Sequence, residues 1–149
     1  MRALTAHDAA SARALAQSVY GGTRYLKRIL ELVDFALPGD DLACEALVLT
    51  DDHESARALL IHGTVGGAAG VTKIHALMGT DDDAPGVLLD ALRATERVRD
   101  SRMFVCELSV ERVDEPAARA LMSAGFNMEG TIADFFADDI DLRLLALRM

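Results

Sequence analysis

The chain has 149 residues, 51% of them hydrophobic, and a formal net charge of −9. That length suits one domain with its own core, and the negative charge argues against nucleic acid, whose binding draws on clustered Lys and Arg. No apolar run approaches the roughly 18 residues of a membrane helix and the N-terminus lacks a signal-peptide pattern, so the expectation is one cytoplasmic domain, residues 1–149, with no membrane partner.

In chain order, Thr5 caps a first helix with Asp8 in its first turn, and Leu15, Val19 and Tyr20 supply its buried side before Gly21-Gly22 ends it. A second helix follows Thr23, where Leu26, Ile29, Leu30 and Val33 recur at helical spacing until Pro38-Gly39. Arg24 and Tyr25 lie off that stripe, facing either solvent or a cleft. Residues 44–50, 57–65 and 71–78 read as an antiparallel meander, and Gly63 marks a bulge or a close backbone approach. Residues 84–98 form a third helix with Pro85 in its first turn and Leu88, Leu92 and Thr95 inward. It leads to a strand over 103–110, and strand, helix, strand is the arrangement that lets two strands lie parallel. Pro116 and Gly125 bracket a fourth helix with Asp114 as N-cap, and strands over 131–136 and 141–149 form a closing hairpin. Cys44 and Cys106 fall within predicted strands and read as buried reduced thiols, with neither a disulfide framework nor a metal cluster.

Residues 114–126, Asp-Glu-Pro-Ala-Ala-Arg-Ala-Leu-Met-Ser-Ala-Gly-Phe, followed by that hairpin, resemble the C-terminal half of the GCN5-related N-acetyltransferases (GNAT). The resemblance implies an α+β fold, a mixed but mostly antiparallel sheet of about six or seven strands flanked by about four helices. It also implies acyl transfer from acetyl-CoA to an amine of unknown identity, with CoA as product and no metal. By the family's pattern, the main chain of Ala76, Leu77 and Met78 pairs with the pantetheine arm. Residues 80–86 match the loop that cradles the pyrophosphate at a helix N-terminus, placing Asp83, Ala84, Pro85 and Gly86 in the coenzyme site, and Asp114 at the start of the last helix beside it.

The sequence departs from that pattern in places that bear on chemistry. Asp83 and Pro85 stand at the two glycine positions of the loop. Pro85 has no N–H to donate, and Asp83 can turn its carboxylate onto the helix-start amides in place of a ligand. Leu121 stands where the family's proton-donating tyrosine does, and the chain's tyrosines, Tyr20 and Tyr25, lie in the N-terminal helices. For the general base, strand alternation puts Lys73, His75 and Leu77 on one face and Ile74, Ala76 and Met78 on the other, with Val105, Glu107 and Ser109 sharing a face on the next strand. Glu107 and His75 are the catalytic candidates. Arg93 and Arg97, one turn apart, meet either a coenzyme phosphate or solvent. Arg24, Tyr25 and Asp134 fall where the family binds its acceptor. The alternative function is a degenerate member that keeps the scaffold as a binding or dimerisation module; the C-terminal hairpin leaves an edge on which a homodimer can form.

Overall fold

The computed structural model describes residues 1–38 and 44–149, the side chain of Arg97 apart. Its strands are β1 Arg2–Ala3, β2 Glu45–Thr50, β3 Ala56–Thr64, β4 Val71–Gly79, β5 Met103–Ser109, β6 Asn127–Ala137 and β7 Ile140–Arg148. Its α-helices are α1 Ala9–Tyr20, α2 Leu26–Ala36, α3 Ala84–Ala94 and α4 Glu115–Ser123. The strands form one sheet in the order β1-β2-β3-β4-β5-β7-β6, antiparallel throughout except for the parallel β4–β5 pair. This is the α+β architecture expected from the sequence.

Helices cover both faces of the sheet. On one, Leu15 and Tyr20 of α1 and Ile29 and Val33 of α2 pack on Val48, Leu59, Ile61 and Met78. On the other, Leu88 and Leu92 of α3 and Leu121 of α4 pack on Leu60, Ile74, Phe104 and Leu145. Each such side chain contributes about 1.5–3 kcal/mol when fully buried. Because β3 is enclosed on both faces, its sequence is almost wholly aliphatic rather than alternating.

The Gly-Phe pair at the end of α4 has a physical reason. Gly125 has φ 92°, and its N–H donates to Met122 O (3.0 Å) while Phe126 N–H donates to Leu121 O (3.0 Å), the paired bonds of a Schellman motif. Phe126 then tucks into the core beside Leu121. At the other end of the chain, Asp8 accepts from Thr5 N–H (2.8 Å) and Thr5 Oγ1 (2.7 Å) and from the Arg2 guanidinium (2.7 Å), fastening β1 to the start of α1. Arg2 first among these donors holds the Asp8 carboxyl well below the usual carboxylate range.

Several boundaries differ from the sequence reading. Helix α3 stops at Ala94 rather than near residue 98, because Thr95 is extended and its hydroxyl donates to Leu92 O (2.8 Å). A 3-10 turn, Glu96–Val98, follows. Strand β6 starts at Asn127, earlier than residue 131, since β7 pairs with it from Ala146 onward. Cys44 lies just outside β2, and the Gly39 end of the second-helix reading lies outside the described residues.

Candidate active site

Strands β4 and β5 stay paired for four positions only, from Val71↔Met103 to Ile74↔Cys106, although both run on. Ala76, Leu77, Met78 and Gly79 therefore have no β5 partner, and a gap opens between the two parallel strands. The cause is visible in the β3–β4 register, which passes from Ile61↔Ala76 to His62↔Ile74 and leaves His75 as an extra residue on β4. Of the two readings of Gly63, a bulge or a close backbone approach, the bulge falls at His75 instead, and Gly63 pairs in register with Lys73. A bulge bends and twists its strand, which turns β4 away from β5.

The bulge also resets the alternation of side chains. Ile74 and Leu77 both enter the α3–α4 core, while Ala76 and Met78 enter the α1–α2 core. The expected grouping of Leu77 with Lys73 and His75, and of Ile74 with Ala76 and Met78, fails beyond position 75 for this reason. On β5 the expected alternation holds: Phe104, Cys106 and Leu108 face the α3–α4 core and Glu107 faces away.

At the mouth of the gap is a cleft of about 260 Å³ that brings Tyr25 and Arg28, from the α2 region, to His75, Glu107 and Phe136. His75 is half-buried, and burial first, then the charges of Lys73 and Arg28, lowers its pKa from 6.5 against the opposing pull of Glu107. A neutral imidazole at pH 7 is the form that can accept a proton. Glu107 accepts a 2.7 Å hydrogen bond from Lys73 Nζ, so its charge is matched within the cleft.

Asp114 occupies the N-cap position of α4, yet its carboxylate makes no capping bond. It accepts instead from Ser109 N–H (2.9 Å), Ser109 Oγ (2.6 Å) and Tyr20 Oη (3.0 Å). Arg143 reinforces the same corner by donating to Ser109 O from Nε (3.1 Å) and Nη2 (2.7 Å). The Tyr20 phenol, buried and facing Asp114, has its pKa raised well above 10. Both tyrosines therefore reach the cleft despite their place in the N-terminal helices. The Tyr25 hydroxyl differs from that of Tyr20: it is buried and makes no hydrogen bond of ordinary geometry, although Glu111 and Ser109 lie close enough to act on it.

The far wall of the cleft comes from β6. Four residues of β6, 133–136, oppose Asp141 alone between the pairs Ile132↔Leu142 and Ala137↔Ile140. Asp134 sits in this bulge at φ 52° and accepts from Asp139 N–H (2.7 Å), while its own N–H donates to Asp141 Oδ1 (3.1 Å). Its carboxylate is thus engaged within the hairpin. The bulge carries Phe136 against Tyr25, ring centroids 5.5 Å apart and edge to face, with Phe135 beside it. Arg28, Phe135 and Phe136 were not singled out from the sequence; an Arg one turn after Arg24 was the available signal for the first, and the bulge left none for the others.

The loop before α3 is closed on itself. Asp81, rather than Asp83, caps the helix: Asp81 Oδ1 accepts from Ala84 N–H (2.9 Å), and Asp81 Oδ2 accepts from Arg57 Nη2 (2.7 Å). Asp83 stands at the N-cap with no side-chain capping bond, and its carbonyl accepts from Gly86 N–H (3.1 Å). Pro85 supplies no donor, and its ring packs so closely on Gly79 that a Cβ there would lie 2.9 Å from Cδ. The first-turn amides that hold anions at other helix starts are therefore engaged or missing. Asp82 is tied to Arg119 of α4 (2.9 Å), and Asp82, Asp83 and Asp90 face the groove between α3 and α4. Arg93 bonds the Ala124 carbonyl at the end of α4, and Arg97 lies outside the described side chains. Leu121 is fully buried in the α3–α4 core.

Cys44 and Cys106 form no disulfide, and burial pushes the Cys106 thiol up to about 12. Among the described residues no helix is long and apolar enough to cross a membrane.

No family model matches the sequence, and no curated protein matches it. Solved structures do. A GNAT-family protein from Desulfovibrio desulfuricans superposes with a TM-score of 0.83 at 21% identity, covering 99% of this chain and 96% of the other. The ribosomal-protein-alanine N-acetyltransferase of Brucella melitensis gives 0.75 at 14% identity, over 99% of this chain and 98% of that one. The aminoglycoside 6'-N-acetyltransferase of Enterococcus faecium gives 0.73 at 11% identity, over 94% and 89%. The chain thus has the fold of the GCN5-related N-acetyltransferases over 94–99% of its length.

Proposed function

We propose that the protein is an acyl-CoA-dependent N-acyltransferase that transfers an acetyl group to an amine. The observation that carries this reading is the gap between β4 and β5 at the His75 bulge, where Ala76, Leu77 and Met78 have no β5 partner and Ala76 and Leu77 line a cleft containing a half-buried imidazole. In this reading the pantetheine arm lies along β4, and the acceptor enters from the side of α2 and β6. The neutral amine attacks the thioester carbonyl and His75 takes its proton. The C–S bond breaks as the amide C–N bond forms, and the departing thiolate takes a proton from water, Leu121 having none to give. The acceptors named for two of the similar structures are both nitrogen nucleophiles, which supports an amine here.

A second reading is favoured by the closed start of α3: a scaffold that has lost its coenzyme site and serves as a binding module. A melting scan with millimolar acetyl-CoA, together with thiol release in the presence of mixed amines, separates the two. A ligand at a hundred times its Kd stabilises a fold by about 2.7 kcal/mol. The transferase reading expects an upward shift and acceptor-dependent thiol release; no shift and no release would leave the binding module.

A further inference from the structure

We propose that the acceptor is an amine that also bears a carboxylate, and that Arg28 receives that carboxylate while the Tyr25 hydroxyl donates to the same molecule. This rests on the acyltransferase reading for the identity of the site, though not for the binding chemistry. The cleft's acids are already satisfied. Glu107 is bonded by Lys73 at 2.7 Å and Asp114 accepts three hydrogen bonds, while Glu111, outside the lining, faces Arg24 at 4.0 Å. Its cations are not all matched. Lys73 has the Glu107 carboxylate, whereas Arg28 lines the cleft with no carboxylate at ion-pair distance among the described residues; Arg24, expected beside it, is not part of the lining and pairs with Glu111 instead. It stands near enough for its charge to act on His75, the group assigned to the attacking amine's proton.

The second observation is independent of charge. The Tyr25 hydroxyl is buried and makes no hydrogen bond of ordinary geometry with the protein, so a bound molecule's oxygen can complete it. Burial, then the nearby Glu111, raises its pKa, so it remains a donor at neutral pH and suits an acceptor oxygen. Tyr25 and Arg28 are three residues apart at the start of α2, which puts both on one side of the helix. A guanidinium fork beside a phenol O–H is a common geometry for a carboxylate. The edge-to-face Tyr25–Phe136 pair, with Phe135 outside it, adds an apolar wall, so the molecule has an apolar side chain as well.

The protein's charge of −9 favours cations at long range, but salt screens that field within about 8 Å, and contacts inside the cleft decide what stays. A polyamine entering it meets Arg28 and finds no open carboxylate.

Calorimetric titration tests this with leucine, methionine and phenylalanine, their carboxamides, and spermidine, each alone and with saturating CoA. The expected result is that at least one of the three acids binds about tenfold or more tighter than its amide and tighter than spermidine. Arg28→Gln should abolish that preference, and Arg28→Lys should restore part of it. Equal binding of acid and amide, tighter binding of spermidine, no binding by any of the acids, or an unchanged preference in Arg28→Gln would overturn the proposal. Arg28 is exposed, so these variants are expected to fold. Binding without any thiol release would remove the acyltransferase reading and keep the subsite; acetyl transfer confined to amines without a carboxylate would do the reverse.

Discussion

His75 owes its position to register and its lowered pKa to burial first and to its charged neighbours second. The charged groups acting on it are Lys73 on its own strand, Arg28 on α2 and Glu107 on β5. If His75 is the base, turnover falls as pH drops through its pKa, which lies below 6.5. Glu107 is the neighbour that raises that pKa, so Glu107→Gln should move the acidic limb of kcat/KM further down while leaving the plateau largely intact. His75→Gln should lower kcat by about a hundredfold or more with donor affinity unchanged. Unchanged turnover in His75→Gln, or a hundredfold loss confined to Glu107→Gln, would transfer the base role. His62 makes a separate, structural prediction. It is buried and pushed down to about 4, whereas an unfolded chain's histidine protonates near 6.5. The unfolded state therefore binds more protons in that window, and stability falls as pH drops from 6.5 to 4, by about 3 kcal/mol in full. The Asp8 contribution is lost only below 3.8, outside this range. Denaturant unfolding at pH 7 and pH 4.5 should show a smaller difference in His62→Gln than in wild type; an equal difference would assign the slope to other groups. Such residue-level facts were partly legible. Glu107 and His75 were visible as polar residues within strands, but the identity of their neighbours depends on which strands and helices adjoin them.

Among the elements, the helices and the meander were legible because apolar spacing and Gly or Pro punctuation act locally. The bulge was not. Gly63 has the composition of a bulge, but the extra residue is taken by β4 at His75, a choice made by pairing across two strands. Hence the alternation in β4 was read correctly up to Ile74 and wrongly beyond. The start of α3 shows the same limit on a smaller scale: three adjacent aspartates signal self-capping, while geometry selects Asp81 and uses Asp82 to tether α4. This element carries its own prediction. Asp81→Ala with Pro85→Gly frees the Ala84 amide and adds one at position 85, at a stability cost of about 1 kcal/mol for the lost cap. Acetyl-CoA affinity should then rise about tenfold, measured by titration. Weaker or equal affinity would mean that the coenzyme phosphates lie elsewhere.

On the proposed reading, the whole molecule combines an intact scaffold with a changed donor site. The sheet, the two helical layers and the Gly125–Phe126 helix end are those of the acetyltransferase fold, and the segment bearing that signature was readable because each of its parts is a local capping or packing rule. The cleft was less readable because it gathers residues from α2, β4, β5 and β6, far apart in sequence. In that reading the thioester lies in a gap that depends on main chain alone, whereas at the start of α3 Asp81 takes the Ala84 amide and Pro85 has no N–H to offer a pyrophosphate. The two donor ends are therefore expected to contribute very unequally. Titration with acetyl-CoA and with S-acetylpantetheine, which lacks the pyrophosphate and nucleotide, tests this directly. Binding of both with dissociation constants within about tenfold of each other, a difference of at most about 1.4 kcal/mol, is the predicted result. Acetyl-CoA binding a hundredfold or more tighter, or no binding of either, would contradict it.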